Sequence, residues 1–228
     1  MSDGFPASLV MRVHGRLTLH PWIAAAHREG RLEEDLFSLA VARTTAYGWA
    51  DFGHGLGGAR WGHNDAGGDW TQDGRAREIA WIQVDCAEAP AGQRVPLTPL
   101  GRVVAESLSR VGTFDVDAVE VSVPVYEAVD AGRDLAYAAT WAGLADPAGR
   151  AECAVSVDAI ADPAQAAAVV AACRERAGEA ARFDHDGTRL LCGLREWSLD
   201  TAIWVLEIVT DALRVSGLAT QAQVRIEV

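Results

Sequence analysis

The chain has 228 residues, a formal net charge of −12, 50% hydrophobic residues and 23% charged residues. This composition predicts a folded globular protein, and the length suits one large domain or two small ones. The acidic charge and the lack of any basic run exclude a nucleic-acid partner and an anionic membrane partner, and no apolar run is long enough to span a bilayer.

All 20 basic side chains are arginine, which excludes Schiff-base and lysine-base chemistry and indicates a GC-rich, bacterial source. The N-terminus lacks the charged and apolar regions of a signal peptide, so we expect a cytoplasmic protein. The cysteines form no CxxC motif, and we expect buried, reduced thiols rather than a zinc site. They are Cys86, Cys153, Cys173 and Cys192.

The first half of the chain opens with a strand. Apolar and polar residues alternate over 9–19, which is typical of a strand with one buried face. A helical region follows over 21–47, interrupted at Gly30. Its clearest helical pattern covers 32–44, with the acids Glu33, Glu34 and Asp35 in the expected first turn. The remaining elements predicted in this half are a strand at 78–86, a helix at 98–110 and a strand at 115–125.

The second half contains clear helix starts and a hairpin turn. Asp162 and Ser198 are capping residues that precede apolar helical patterns. Gly187 supplies the positive φ that a tight hairpin turn needs. The predicted elements are strands at 134–143 and 152–158, a helix at 162–177, a hairpin over 181–196, a helix at 198–216 and a strand at 222–228.

The order of these elements predicts the fold. Each half fits a β-α-β-β-α-β plan, so we expect an α+β protein with two ferredoxin-like (split β-α-β) halves in tandem, 1–128 and 129–228. Residues 106–123 align without gaps with 211–228, which favours duplication, although any helix–glycine–strand unit would look similar. The first half is the longer one, and most of its excess falls in a glycine-rich stretch at 49–77. That stretch is predicted to be an inserted loop, and long ordered loops often carry function.

Titratable residues on the inserted loop are the first candidates for catalysis. His54 or His63 could act as a general base, oriented by Asp65 or Asp69. No metal is predicted: the same residues with Asp73 are plausible zinc, iron or manganese ligands, but their spacing matches no ligand pattern. Turn chemistry is the alternative explanation for these residue types in a glycine-rich loop.

Three more loop residues are candidates for ligand binding. Arg60 could hold a carboxylate or an enolate, and the tryptophans Trp61 and Trp70 could form aromatic walls. The alternative is that the tryptophans anchor the loop to the protein body. The segment 53–58 matches GxGxxG, but a helical pattern precedes it where a dinucleotide site needs a strand. We therefore predict no cofactor.

The polar face of the predicted sheet is a second candidate site. Arg12, His14 and Arg16 share one face of the first strand, and Trp81 on the strand at 78–86 is expected to lie on the same face. Such a row would form a ligand groove if the inserted loop folds over it. Exposure to solvent and subunit contact in a homodimer are the alternatives.

These features favour a small-molecule enzyme that uses His/Asp general acid–base chemistry. A lyase, cyclase, isomerase or cofactor-independent oxygenase would fit, with a small-molecule substrate as partner. The alternative is a non-catalytic module that binds a ligand or another protein, such as a sensor, an immunity-type protein or a complex subunit.

Overall fold

The computed structural model describes residues 8–47, 62–85, 97–125, 132–219 and 221–228. Within these ranges the fold is mixed α+β, with six helices and an eight-stranded antiparallel sheet, which confirms the predicted class. The strands are β1 (Ser8–Leu19), β2 (Gly62–Gly67), β3 (Arg77–Asp85), β4 (Gly112–Pro124), β5 (Ala151–Val157), β6 (Arg182–Asp186), β7 (Arg189–Leu194) and β8 (Gln221–Glu227). The helices are α1 (Pro21–Arg28), α2 (Leu36–Ala46), α3 (Leu97–Val111), α4 (Gly132–Ala142), α5 (Pro163–Ala177) and α6 (Leu199–Val215). None of these helices is long and apolar enough to cross a membrane.

The first of two compact units comprises Met1–Pro90 and Pro99–Asp117. Its strands lie in the order β2-β3-β1-β4. The alternation on β1 buries one face fully, since Leu9, Met11 and Val13 are 0% exposed. Gly15 lies where β1 meets β4, because a Cβ at this position would be 1.9 Å from the carbonyl oxygen of Asp115. Only glycine permits so close an approach of two backbones.

The second unit comprises Ala91–Thr98 and Ala118–Val228, and its strands lie in the order β4-β8-β5-β7-β6. Helix α6 forms its core: every residue from Thr201 to Leu213 is buried, and the helix contacts α4, α5 and β8. A helix that is apolar on most sides needs such surroundings. Ser198 caps α6 as predicted, since its hydroxyl accepts the Thr201 N–H and the Thr201 hydroxyl accepts the Ser198 N–H.

Three charged side chains lie together inside the second unit. Arg176 of α5 donates through Nε to Oδ2 of Asp211 on α6 at 2.5 Å, and Arg214 Nη2 lies 2.5 Å from Oδ1 of the same carboxylate. The side chains of Arg176 and Asp211 are each 7% exposed. The pair is therefore shielded from water, and each charge depends on the other for its stabilisation.

Three cysteines confirm the expectation of buried, free thiols, whereas Cys86 lies outside the described residues. Cys153 and Cys192 lie opposite each other on β5 and β7, and Cys173 lies on α5. Burial raises the pKa of Cys173 to about 12. A hydrogen bond with Cys153, together with burial, raises the pKa of Cys192 above its ordinary range.

Three local predictions were wrong. Residues 134–143, predicted as a strand, lie mainly in α4, where Leu135 is fully buried and its carbonyl accepts the indole N–H of Trp204. The loop predicted at 49–77 contains β2, which the backbone ladder with β3 holds in place. Asp35 is the N-cap of α2 and not a first-turn acid, because its side chain accepts the Ser38 N–H.

Candidate functional site

The structure describes part of the predicted loop site. His54, Arg60 and Trp61 lie outside the described residues, so their roles stay predictions. His63 is described by its backbone, which pairs with Val84 of β3. Three of the four residues proposed for proton transfer therefore lie on strand β2 or in the turn after it.

Asp65 lies on β2, opposite Gln83 of β3. Its side chain is exposed, and Oδ1 accepts the backbone N–H of Ala66 at 2.9 Å. Gln83 and Trp81 are two residues apart on one strand, so they share a face of the sheet. Asp65 is thereby placed beside the polar face that also carries Trp81.

The segment between β2 and β3, residues 68–76, is tied to the protein body by two side chains. The Trp70 indole is 8% exposed and donates its N–H to the carbonyl of Ile79 at 3.2 Å. Gln72 accepts the Leu19 N–H at 3.0 Å and donates to the Leu17 carbonyl at 3.1 Å. Trp70 thus has the geometry of an anchor, and little of its surface is available to a ligand.

Asp69 is held in its ionised form. The hydroxyl and the backbone N–H of Thr71 and the guanidinium of Arg77 lower the pKa of Asp69 to about 2. The Thr71 N–H donates to Asp69 Oδ1 at 2.9 Å, and Arg77 also pairs with Asp73 at 2.5 Å. A carboxylate with so low a pKa is a weak base at neutral pH, so this group of residues chiefly shapes the turn.

The polar face of β1 and β3 brings four chemically useful side chains together. In the strand register, Arg12 lies opposite Trp81 and His14 lies opposite Glu78. Arg12 Nε is 3.4 Å from Glu78 Oε2, and the two side chains are 36% and 35% exposed. The Nε2 atom of His14 is buried. Directly opposed residues on one face lie within contact distance, so a cation, an indole, an imidazole and a carboxylate occupy one small area.

The Trp81 indole extends from this area toward β2. A Cβ at Gly67 would lie 2.8 Å from Nε1, 3.1 Å from Cε2 and 3.2 Å from Cζ2 of the Trp81 indole. The long edge of the indole therefore lies against the Gly67 backbone. Glycine at this position lets the ring approach the strand closely, which restrains the ring against β2.

The side chain of Arg16, at the end of the polar row, reaches toward β4. Its Nη2 atom lies 3.8 Å from Oδ2 of Asp117, and the two side chains are 53% and 38% exposed. This long, exposed ion pair restrains the guanidinium weakly. Arg16 remains accessible for a ligand at the end of the row, whereas Arg12 lies at its centre.

Glu78 is the member of this group that sequence patterning missed. Strict alternation from Trp81 would place Ile79 on the polar face, but a bulge between Val13 and His14 shifts the register, and both Ile79 and Ala80 are buried. The shift brings Glu78 opposite His14. Among the described residues, no group of three or more His, Cys, Asp and Glu side chains is arranged to hold a metal ion.

Comparison with known proteins adds no assignment to this geometry. No protein-family model matches the chain, and the search of curated proteins found no significant match.

Proposed function

We propose that the chain is a small-molecule enzyme whose substrate carries a planar group and a carboxylate, bound on the polar face of β1 and β3. The observation that carries the proposal is the direct opposition of Arg12 and Trp81 across the two strands. A guanidinium recognises a carboxylate through paired N–H donors, and an indole offers a flat apolar surface for a ring. The Arg12 side chain is 36% exposed and Trp81 is half-buried, so both can contact a ligand without complete desolvation.

Proton transfer is the chemistry that the neighbouring residues support. Glu78 lies opposite His14, and a carboxylate beside an imidazole stabilises the protonated ring. In the proposed reaction His14 removes a proton from the bound substrate, and an isomerase would return it at another position. A lyase, a cyclase or a cofactor-independent oxygenase, the last with dioxygen as a second substrate, would share the proton removal. His54, His63 and Asp65 remain proposed participants, and Asp69 is a weaker candidate because it is ionised and paired.

We also propose that the chain is a tandem duplication of a ferredoxin-like half, with 1–128 and 129–228 as the two copies. Both copies follow the β-α-β-β-α-β plan, with two helices, α1 and α2, after β1 in the first copy and an additional helix, α4, before β5 in the second. In each copy the sheet order is second, third, first and fourth strand. The aligned segments place buried Val119 and Val121 on buried Val224 and Ile226. Val123 is buried while its counterpart Val228 is 60% exposed, so the correspondence weakens at the chain end.

The binding proposal is tested with aromatic carboxylates such as benzoate and indole-3-acetate as probes. Binding is measured by isothermal titration calorimetry and by chemical shifts of the indole N–H groups. We expect Arg12→Gln and Trp81→Ala each to weaken binding by about tenfold or more, which corresponds to about 1.4 kcal/mol.

Arg225→Gln is the matched control for this experiment. Arg225 lies in the second unit, is 37% exposed and pairs with Glu120 at 3.4 Å, nearly the same exposure and distance as for Arg12. Its replacement should leave probe binding unchanged. Equal losses in the Arg12 and Arg225 variants, or no binding of any aromatic carboxylate, would contradict the proposed site.

A non-catalytic interaction module is the second candidate function. The observation that favours it is an exposed apolar surface on α4, where Tyr137 and Trp141 are 79% and 72% exposed. The two functions differ in the fate of a bound compound. An enzyme converts the compound in an NMR time course and His14→Asn stops the conversion, whereas a binding module returns it unchanged.

A further inference from the structure

Helix α4 presents a stripe of large apolar side chains to solvent. Tyr137, Trp141 and Leu144 are 79%, 72% and 81% exposed. Their spacing of four and three residues places them on one face of the helix and of the turn that follows it. Exposed aromatic residues in a contiguous row are costly in water and typically mark an interaction surface.

A groove that could receive such a stripe lies on the same part of the molecule. A groove of about 330 Å³ runs between α4 and the end of α5. The residues that line it are mostly small, so a bulky side chain can enter it. They include Ala136 and Ala139 of α4, Gly143 just after it, and Ala177, Gly178 and Ala180 at the end of α5.

Polar groups at the groove suit the side chains of the stripe. Glu175 and Glu179 contribute to its lining. A buried tyrosine hydroxyl or tryptophan N–H requires an acceptor, and these carboxylates can provide one. The groove thus offers small side chains beside which an aromatic ring can lie and carboxylate acceptors for its polar atom, and Arg176 and Arg195 complete its charged lining.

We propose that two copies of this chain associate through α4, with the stripe of one copy seated in the groove of the other. A twofold arrangement makes each such contact twice, which is the usual geometry of a homodimer. A buried aromatic side chain contributes about 150–250 Å², so Tyr137 and Trp141 supply about 300–500 Å² per copy and about 600–1,000 Å² in the pair. This area is near the lower limit of about 1,000 Å² for a specific interface, so the dimer should be weak.

Sedimentation velocity of the full chain over about 1 to 100 µM, the range expected for a weak interface, tests the proposal. We expect the wild-type protein to shift from monomer to dimer over this range. Trp141→Ala should weaken the dimer at least tenfold without loss of helical circular dichroism, because Trp141 makes few contacts within its own copy. Tyr137→Ala provides a second variant of the stripe with the same expected result.

Two further variants make the result decisive. Trp22→Ala removes an equally exposed tryptophan, 66% exposed on α1 of the first unit, and should leave the dimer intact. Ala136→Arg fills the groove without changing the stripe and should also dissociate the dimer. A chain that stays monomeric throughout, a Trp141→Ala dimer as tight as the wild type, or an Ala136→Arg variant with unchanged affinity would each overturn the proposal.

Discussion

The Trp81 indole and the Gly67 backbone are in such close contact that a methyl group at Gly67 would lie 2.8 Å from the indole Nε1. The adjacent Gly68 meets backbone instead, since its Cβ would lie 2.2 Å from the carbonyl oxygen of Ile79. A side chain can turn away from an added methyl group, whereas a paired strand cannot. The two glycines therefore allow a test that separates ring position from stability.

We expect Gly67→Ala to move the indole N–H resonance of Trp81 and weaken binding of an aromatic carboxylate, with little change in stability. Gly68→Ala should lower the free energy of unfolding by about 1–3 kcal/mol, as expected for overpacking. Heteronuclear NMR and urea denaturation measure the two effects. If Gly67→Ala instead lowered the free energy of unfolding more than Gly68→Ala, the contact at Gly67 would be the rigid one.

Gln72 is expected to hold the turn between β2 and β3. Its side-chain amide satisfies the Leu19 N–H and donates to the carbonyls of Leu17 and Trp70. Gln72→Ala leaves these part-buried groups without their partners and should cost about 1–3 kcal/mol in urea denaturation. Gln221→Ala, which removes an exposed 3.4 Å bond to Ser122, should cost much less.

The pH dependence of stability should report the state of Asp69. The pKa of Asp69 is lowered from 3.8 to about 2 in the folded chain. Its contribution to the free energy of unfolding is therefore present above pH 3.8 and is lost as the pH falls through about 2. Wild type and Asp69→Asn should differ at pH 7 and converge near pH 2. The difference is expected to be at most about 1 kcal/mol, because the side chain is half exposed.

Thr71→Val provides the control for this titration, since the Thr71 hydroxyl is the largest cause of the lowered pKa. In the Thr71→Val background, the effect of Asp69→Asn at pH 7 should shrink. An undiminished effect would show that Asp69 is stabilised by other groups.

The buried ion pair of Arg176 and Asp211 should be far more important to stability than an exposed one. Asp211→Asn leaves the Arg176 guanidinium buried without its counter-charge, and we expect a loss of about 3–5 kcal/mol. Glu152→Gln is the control, because Glu152 and Arg182 are 3.4 Å apart but 71% and 77% exposed. Its effect should stay within about 1 kcal/mol. Comparable losses in the two variants would contradict the shielding inferred for Asp211.

The thiols of the second unit should be protected in the folded state. Burial and the raised pKa values of Cys173 and Cys192 suppress the thiolate that reacts with disulfide reagents. In a Cys86→Ser background, we expect no reaction with dithionitrobenzoate under native conditions and reaction of three thiols in guanidinium chloride. Rapid labelling of the native variant would show that the unit opens readily.

Local signals in the sequence predicted most of the fold. The alternation in β1 and the caps Asp162 and Ser198 depend on neighbouring residues, so patterning finds them. Strand β2 was missed because Gly62–Gly67 has no β-branched or aromatic residue, and pairing with the distant β3 holds it. Helix α4 was misread because its apolar residues also fit a period of two.

The candidate site was predictable only in part, for a similar reason. Period-two alternation placed Arg12, His14 and Trp81 on one face. The partnership of His14 with Glu78 depends on a bulge between paired strands, which has no signature in either segment. The low pKa of Asp69 arises from contacts with Thr71 and Arg77, which spacing alone does not reveal.

Strand β6 is the last strand of the order β4-β8-β5-β7-β6. The Nε–H of Arg174 donates to the Phe183 carbonyl of this strand at 2.8 Å. The first and last residues of β6, Arg182 and Asp186, are charged. An outer strand guarded in this way is a poor template for strand addition, which is the usual route to open-ended aggregation. If two copies associate through α4 as proposed, the helical surface closes the assembly at two subunits instead of extending the sheet into a filament.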